Sequence, residues 1–345
     1  MTDAPHVGTL AAGLLGTIAD VAGVTVGHCT LDEGPVQTGV TVVRPHDGDV
    51  YRRKVPAAAS VINGFGKSIG LVQVDELGVL ETPIALTNTF GVGTVANAQI
   101  RAAITANPEI GREWPTVNPL VFECNDGYLN DIQALAVQEA HYHRALQACD
   151  RAFERGSAGA GRGMSCFELK GGIGSGSRIA QVAGRSFMTG ALVLANFGRL
   201  PMLTLAGVAL GRSLAALEQQ EQQKQQKPEH GSIIMIIATD APLDARQLRR
   251  LSMRAAAGLA RTGSVYGHGS GDISLAFTTA YVVPHLDDFI DVPALVSDAR
   301  LDPLFQAAAD SVEQAIIDAL FSAVSVTGRD GHRRLSFKDM QANKP

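Results

Sequence analysis

The 345-residue chain has few cysteines, no excess of positive charge, no apolar run long enough to cross a bilayer and no complete nucleotide-binding loop. Each absence removes a class of function. Cys29, Cys124, Cys149 and Cys166 are scattered without a CxxC pair. Neither a zinc site nor a disulfide framework is expected, and a reducing compartment suits them. A net charge of −5 with a pI near 6.0 gives no electrostatic reason for nucleic acid or an anionic membrane as partner. The apolar stretch from Val7 to Leu15 lacks a basic flank and follows Asp3, so no signal peptide is expected and a cytoplasmic protein is the default. Gly66-Lys67-Ser68 resembles the end of a phosphate loop, but position 61 is Val where that loop needs Gly. Gly91-Val92-Gly93-Thr94-Val95-Ala96 lacks the acidic residue that a dinucleotide fold places after its second strand, and reads instead as a glycine turn opening a helix. His141 and His143 are two apart and so point to different helix faces; solvated or capping roles fit them better than metal ligation. No cofactor is called for.

Apolar residues make up 46% of the chain and charged residues 18%, a globular composition that can bury a large core. Thirty-seven glycines against 15 prolines imply many tight turns and close backbone approaches. Short β-like runs recur: Gly23 to His28, Gly39 to Val43, Ala57 to Ile62, Pro83 to Thr87 and Pro119 to Cys124. Helices are expected over 95–105 and 134–154, the second with Ala136, Ala140 and Leu146 on one side. A glycine-dense region from Gly156 to Gly176 precedes strands at 179–182 and 189–196. The run from Glu218 to Pro228 is polar, Gln-rich and without core residues. Ile233 to Ala238 then forms an almost continuous apolar strand, suited to a sheet covered on both faces. Asp240 with Pro242 marks a helix start. A stripe of Leu248, Leu251, Ala255 and Leu259 follows it, then a turn at Gly267 to Asp272, a strand over 273–283, a helix over 303–324 and a polar tail.

The junction between the Gln-rich run and the apolar strand is His230-Gly231-Ser232-Ile233. Alone, Gly-Ser at the end of a linker is a turn. Its setting admits more. A serine hydroxyl is a weak nucleophile until a base takes its proton. An N-terminal serine carries that base itself, because an α-amine has an unperturbed pKa of about 7.7–8.0. The amine exists only once the preceding bond is broken, and the same hydroxyl can break it by attacking the Gly231 carbonyl. Glycine at 231 leaves that carbonyl unobstructed. Ser232 is therefore the candidate nucleophile and Gly231–Ser232 the candidate cleavage site. Asn196, at the end of a strand, is a candidate oxyanion donor, and Tyr128, after the Asn125-Asp126-Gly127 turn, a candidate donor to the oxyanion or the leaving amine. Ser270 and Asp272, in a glycine-flanked turn, are candidates to orient or relay protons for Ser232. His268 beside them does not make a triad, since three residues within five positions rarely reach that geometry.

Several segments together resemble the DmpA-like L-aminopeptidase/D-esterase and β-peptidyl aminopeptidase family. They are Ile18 to His28, Gly39 to Val43, Asn88 to Thr94, Glu123 to Asp131, Gly163-Met164 with Lys170 to Gly174, Ala195-Asn196-Phe197-Gly198, and Gly231-Ser232. They occur in order over nearly the whole chain. The resemblance implies an α/β fold, a four-layer αββα sandwich of the type shared with ornithine acetyltransferases. It implies one self-processing domain, 1–345, that cuts itself into an α chain of 1–231 and a β chain of 232–345, with these pairs assembled into a homo-oligomer. It matches Ser232 to the nucleophile, Asn196 to the oxyanion donor, Tyr128 to an active-site tyrosine, and Ser270 with Asp272 to a serine–acid pair in which some members carry Glu. The Gln-rich run is outside the family pattern and reads as a variable loop.

The expected activity is removal of N-terminal residues from short peptides, amides or esters through an acyl-enzyme, with β- and D-residues among the candidates and with no metal. Two alternatives stand beside it. One is acyl transfer of the ornithine acetyltransferase type, whose nucleophile is Thr where this chain has Ser. The other is an uncleaved binding protein of the same fold.

Overall fold

The structure, a computed structural model, describes residues 4–218 and 230–342; the Gln-rich run over 219–229 lies outside the described residues. In chain order the principal elements are β1 (Thr25–Leu31), β2 (Thr38–Arg44), β3 (Arg53–Gly64), α1 (Leu71–Leu77), β4 (Ile84–Asn88), α2 (Val92–Ala106), β5 (Leu120–Cys124) and α3 (Glu139–Gln147). The short strands β6 (Ser165–Cys166) and β7 (Leu169–Lys170) follow, then β8 (Gly172–Val182), β9 (Arg185–Asn196) and α4 (Gly211–Glu218). The last part holds β10 (His230–Thr239), α5 (Ala245–Ser252), α6 (Ala255–Arg261), β11 (Gly269–Thr278), α7 (Asp302–Ser322) and α8 (Phe337–Ala342).

Two sheets stack. The first runs β1-β2-β4-β5, and the second runs β3-β11-β10-β9-β8 with a short strand at Val283–Pro284 on its outer edge. Within the second sheet β10 and β11 are parallel, while β9 and β3 flank them antiparallel. The apolar run after Ser232 shows why the layers form. Ile234, Ile236 and Ala238 point into the space between the sheets, where they meet Ile84, Phe122 and Leu194. Ile233, Met235 and Ile237 point the other way, onto a layer that includes Leu248 of α5, Leu259 of α6 and Val312 of α7. A strand apolar on both faces needs cover on both, and burial of each such side chain contributes about 1.5–3 kcal/mol. On the far side of the first sheet, Val40, Val42 and Val121 pack under Val95 of α2 and Tyr142 of α3. The order helix, sheet, sheet, helix is the expected αββα sandwich.

The elements depart from the sequence reading where glycines and caps decide. The glycine-dense region does not stay a loop: from Gly172 it is strand β8. A Cβ at Gly174 would lie 1.9 Å from the Ala315 carbonyl oxygen, so α7 rests its backbone directly on this strand. The helix expected over 134–154 is confined to Glu139–Gln147; Leu135 has a left-handed φ of 48°, and His141 Nδ1 accepts the Gln138 N–H at 3.0 Å, so this histidine is a cap. Asp240 does not start the next helix. Asp244 does, accepting the Gln247 N–H at 2.7 Å while Gln247 Oε1 accepts the Asp244 N–H at 3.2 Å. The stripe from Leu248 to Leu259 belongs to two helices, α5 and α6, separated at Met253–Arg254. Ser270 and Asp272 lie in strand β11 itself, which begins at Gly269 and ends at Thr278, because pairing with β10 extends it N-terminally. The polar tail folds back: Phe337 and Met340 are buried against the helical layer. No described helix is long and apolar enough to cross a membrane.

The contact of α7 with β8 predicts a contrast between two glycines. Gly174→Val should lower stability by about 3 kcal/mol or prevent folding, because the helix backbone cannot yield to a side chain. Gly93→Ala, where nothing lies within 4 Å of the added Cβ, should change stability by less than about 1 kcal/mol. Thermal unfolding of both variants checks this, and equal losses would contradict it.

Candidate active site

Four strand ends meet at one end of the sandwich. Because β9 runs antiparallel to β10, its last residue, Asn196, pairs with Ser232 near the start of β10. Because β11 runs parallel to β10, Gly271 near its start pairs with Ser232 from the other side. The C-terminal end of β5 crosses from the first sheet, and Cys124 Sγ donates weakly to the main-chain oxygens of Ser232 at 3.4 Å and Leu194 at 3.6 Å. Burial pushes the Cys124 thiol well above its usual value, so it stays a protonated donor under the strand and not a nucleophile.

Ser232 is buried, and its Oγ accepts the Gly271 N–H at 3.1 Å. That bond favours the oxygen as it gains negative charge. Gly231, just before it, is held tightly. A Cβ there would stand 2.1 Å from the Asn196 carbonyl oxygen and 2.9 Å from Phe197 Cα. No residue but glycine fits.

The Asn196 amide is fixed at both ends. Its Oδ1 accepts the Ser165 N–H at 2.8 Å, and its Nδ2 donates to the Asn125 carbonyl at 2.9 Å. Those partners assign which end is nitrogen. An amide nitrogen carries two hydrogens, so one remains for a ligand.

Ser270 and Asp272 form a buried pair, the hydroxyl donating to the carboxylate at 2.5 Å. They flank Gly271, so Ser270 is in register with Gly231 and Asp272 with Ile233. Side chains alternate along a strand. Ser232 therefore shares the inter-sheet face of Ile234, and the pair shares the helix-covered face of Ile233. The register sets the pair beside the main chain at Gly231–Ser232. The β-bulge at Asp272–Ile273, against β3, marks the same spot. His268 turns its ring toward Phe65, with centroids 6.2 Å apart. Tyr128 lies three residues past Asn125, on the loop that grips Asn196. Its ring stacks on His332 at 4.6 Å between centroids, and the Arg334 guanidinium lies 3.9 Å from its centre. Its 41% exposure separates it from the buried group of Ser232, Asn196, Ser270 and Asp272.

Sequence reading passed over Glu123 as a site residue. Its signal was a carboxylate inside the wholly buried strand β5. The Glu123 carboxylate accepts the Lys67 N–H at 2.8 Å and the Thr89 hydroxyl. It thereby anchors the loop after β3, whose Phe65 carbonyl oxygen would lie 2.8 Å from a Cβ on Gly271. Asn63 ties this loop to β11 by donating to Ser270 O at 2.6 Å and Gly267 O at 2.7 Å. Ser165 was also passed over, because a main-chain N–H leaves no motif, and Lys170 entered only within the Lys170 to Gly174 motif, with no role given to it. Among the described residues no group of three or more His, Cys, Asp or Glu side chains is arranged to hold a metal ion.

Comparison with known proteins agrees with this geometry. Residues 16–334 match the family described as peptidase family S58. The chain is 38% identical over 355 aligned positions to the β-peptidyl aminopeptidase BapA of Sphingosinicella microcystinivorans, covering 96% of this chain and 88% of that protein. The solved β-aminopeptidase of a Burkholderia species superposes with a TM-score of 0.89 at 38% identity, covering 99% of this chain and 98% of that one. The L-aminopeptidase D-Ala-esterase/amidase of Ochrobactrum anthropi, described as a prototype for the serine aminopeptidases and a variant of the Ntn hydrolase fold, gives 0.88 at 34% identity, covering 96% and 93%.

The buried loop beneath Asn196 yields a pH prediction. Burial raises the Asp126 carboxyl from 3.8 to about 7. Between those values the folded chain holds a proton that the unfolded chain releases, so this group's effect is to lower stability as pH rises through that window. Asp126→Asn keeps an acceptor for Asn130 and removes the titration. Its advantage in melting temperature over the unaltered protein should be larger at pH 8 than at pH 5. A pH-independent difference would count against the shift.

Proposed function

The chain belongs to peptidase family S58, and from that membership and the site geometry we propose that it cleaves itself between Gly231 and Ser232 and then acts as an N-terminal serine aminopeptidase. One observation carries this. The Ser232 hydroxyl accepts an N–H from one neighbouring strand and has an asparagine amide opposite it on the other, directly after a glycine whose place admits no side chain. In the first step Ser232 Oγ attacks the Gly231 carbonyl carbon. The peptide bond gives way to an ester, and the nitrogen leaves as the Ser232 amine. Water then opens the ester, leaving chains 1–231 and 232–345.

In turnover the freed amine takes the proton from Oγ as the oxygen attacks the substrate carbonyl. Gly271 N–H steadies the oxygen as it sheds that proton. The remaining Asn196 N–H accommodates the oxyanion, together with main-chain N–H groups. Collapse expels the leaving amine, with Tyr128 a proton donor from the exposed side, and water releases the acyl group. Ser270 and Asp272 lie by the main chain at Gly231–Ser232, so they orient and charge-balance the new α-amine. Asp272 is one methylene shorter than Glu, which shifts the reach of that carboxylate toward the Ser232 amine and away from a bound ligand.

The substrates are short peptides, amides or esters with a free N-terminal residue, β-residues included, as the names of the relatives suggest. The cleaved pairs assemble into a homo-oligomer, a reading supported by the exposed apolar side chains of Leu286, Phe289 and Val292 in the segment after β11. Free thiols suit a reducing cytoplasm.

Denaturing electrophoresis of active protein should show two chains with Ser at the new amino terminus; a single intact band in active enzyme would rule the reading out. Ser232→Ala should stay uncut and inactive. Gly231→Ala should block or slow cleavage, because its methyl group meets Asn196. Asn196→Ala should lower kcat by roughly 10²–10³-fold with KM little changed, the usual loss for one oxyanion donor.

A further inference from the structure

Lys170 is a fully buried charge-bearing side chain that the reaction above does not use. It lies at the end of β7. Its Nζ donates to three main-chain carbonyls: Gly161 at 2.8 Å, Met164 at 3.0 Å and Gly171 at 2.7 Å. Burial drives the amine well below its usual value, while Asp126 acts in the opposite sense. A buried amine of this kind is a poor device for stability, since an apolar side chain of similar volume often serves as well or better.

Its place supplies a different reason. The Met164 carbonyl and the Ser165 N–H are the two ends of one peptide unit. The carbonyl end accepts from Lys170 Nζ and from Gly171 N, at 3.0 Å each. The N–H end donates to Asn196 Oδ1 at 2.8 Å. A hydrogen bond at one end of an amide strengthens the donor at the other. The chain of polarisation therefore runs from the lysine, through the Met164–Ser165 peptide, into the Asn196 amide, and out at its Nδ2–H beside Ser232.

The local backbone is built around this relay. Ser165 pairs with Lys170 across the β6–β7 hairpin, whose two turn residues, Phe167 and Glu168, both take left-handed angles, φ 51° and 61°. Non-glycine residues pay for such angles only where surroundings hold them. Here Phe167 N–H donates to Phe197 O at 2.6 Å, one residue past Asn196. The hairpin is thus clamped to the strand end it serves.

We propose that Lys170 is a positioning residue for acyl transfer, orienting and polarising the Asn196 amide through the Met164–Ser165 peptide. This rests on the reading of Asn196 as oxyanion donor. The test is a double-mutant cycle: Lys170→Met and Lys170→Gln, each with and without Asn196→Ala. Turnover of a β-alanyl anilide is measured per free Ser232 amino terminus, and melting temperatures are followed in parallel. Lys170→Met should lower kcat roughly ten- to a hundredfold with KM held within about twofold, a smaller loss than removal of the donor itself. Lys170→Gln, which keeps two N–H donors, should recover part of it. Neither change should lower kcat further once Asn196 is Ala.

Losses that persist in the Asn196→Ala background overturn the inference, as does a rise in KM without a fall in kcat. So does a loss of cleavage or turnover larger than that of Asn196→Ala, since a residue cannot cost more than the group it positions. Failure of both Lys170 variants to fold, where Asn196→Ala folds, overturns it too, because the lysine then holds the chain and not the amide. An Asn196→Ala enzyme with unaltered kcat removes the oxyanion reading itself, which separates that failure from this one.

Discussion

The backbone at Gly231 runs closer to the Asn196 carbonyl than any side chain permits, and the geometry of the site follows from that contact. It requires β9 and β10 to pair in one register, Asn196 opposite Ser232. A slip by one residue would turn Ser232 onto the helix-covered face and lift the inter-sheet apolar set of β10 out of its layer. Register is thus fixed twice, by the burial of Ile234, Ile236 and Ala238 and by the absence of a side chain at 231. The hydroxyl and the amide that faces it come to the same place because the core leaves them no alternative.

Two faces of one sheet divide the work. The face between the sheets carries the Ser232 hydroxyl and the Asn196 side chain, with the Cys124 thiol holding main-chain oxygens from the opposing sheet. The helix-covered face carries Ser270 and Asp272. Between them lies the main chain of residues 231 and 232. A hydroxyl and an amine on one N-terminal residue point in different directions, and a strand offers different surroundings to each. Dry packing around both strengthens every charge interaction there, so small differences in donor geometry have large effects. The proposed assignment of oxyanion donors to one face and amine partners to the other is therefore what strand geometry permits.

Much of this was legible from residues. The doubly apolar run over 233–238 announced a covered central strand, and Ser232 at its mouth and Asn196 at a strand end both lie where that reading puts them. The spread of motifs announced the layers. Other features were hidden for physical reasons. Glycines at 174 and 176 look like a loop in one dimension, and the helix α7 lying on them shows why a strand needs them there. Ser270 and Asp272 look like a turn because strand pairing, not local preference, extends β11 to Gly269. Helix α3 stops short because residues beyond Gln147 return to the first sheet, where Asp150 bridges Val26. The tail reads as polar, yet Phe337 and Met340 are enough to seat it.

Buried polar groups gather under Asn196 more densely than stability alone explains. Asp126 is held in a loop with Asn130, Glu123 ties down the loop beside Gly271, and Lys170 caps three carbonyls. Each costs desolvation, and each terminates on main chain or on a neighbouring polar side chain within the same few strand ends. A core meant only to be stable would fill these positions with apolar side chains. Their common effect is to remove freedom from the Ser165 N–H, the Asn125 carbonyl and the Gly271 N–H, which are the groups in contact with Ser232 and Asn196. Preorganised donors lose no energy to reorientation when charge develops. On the proposed assignment, the interior gives up stability to hold two small side chains still, and Lys170 is one of the groups through which it does so.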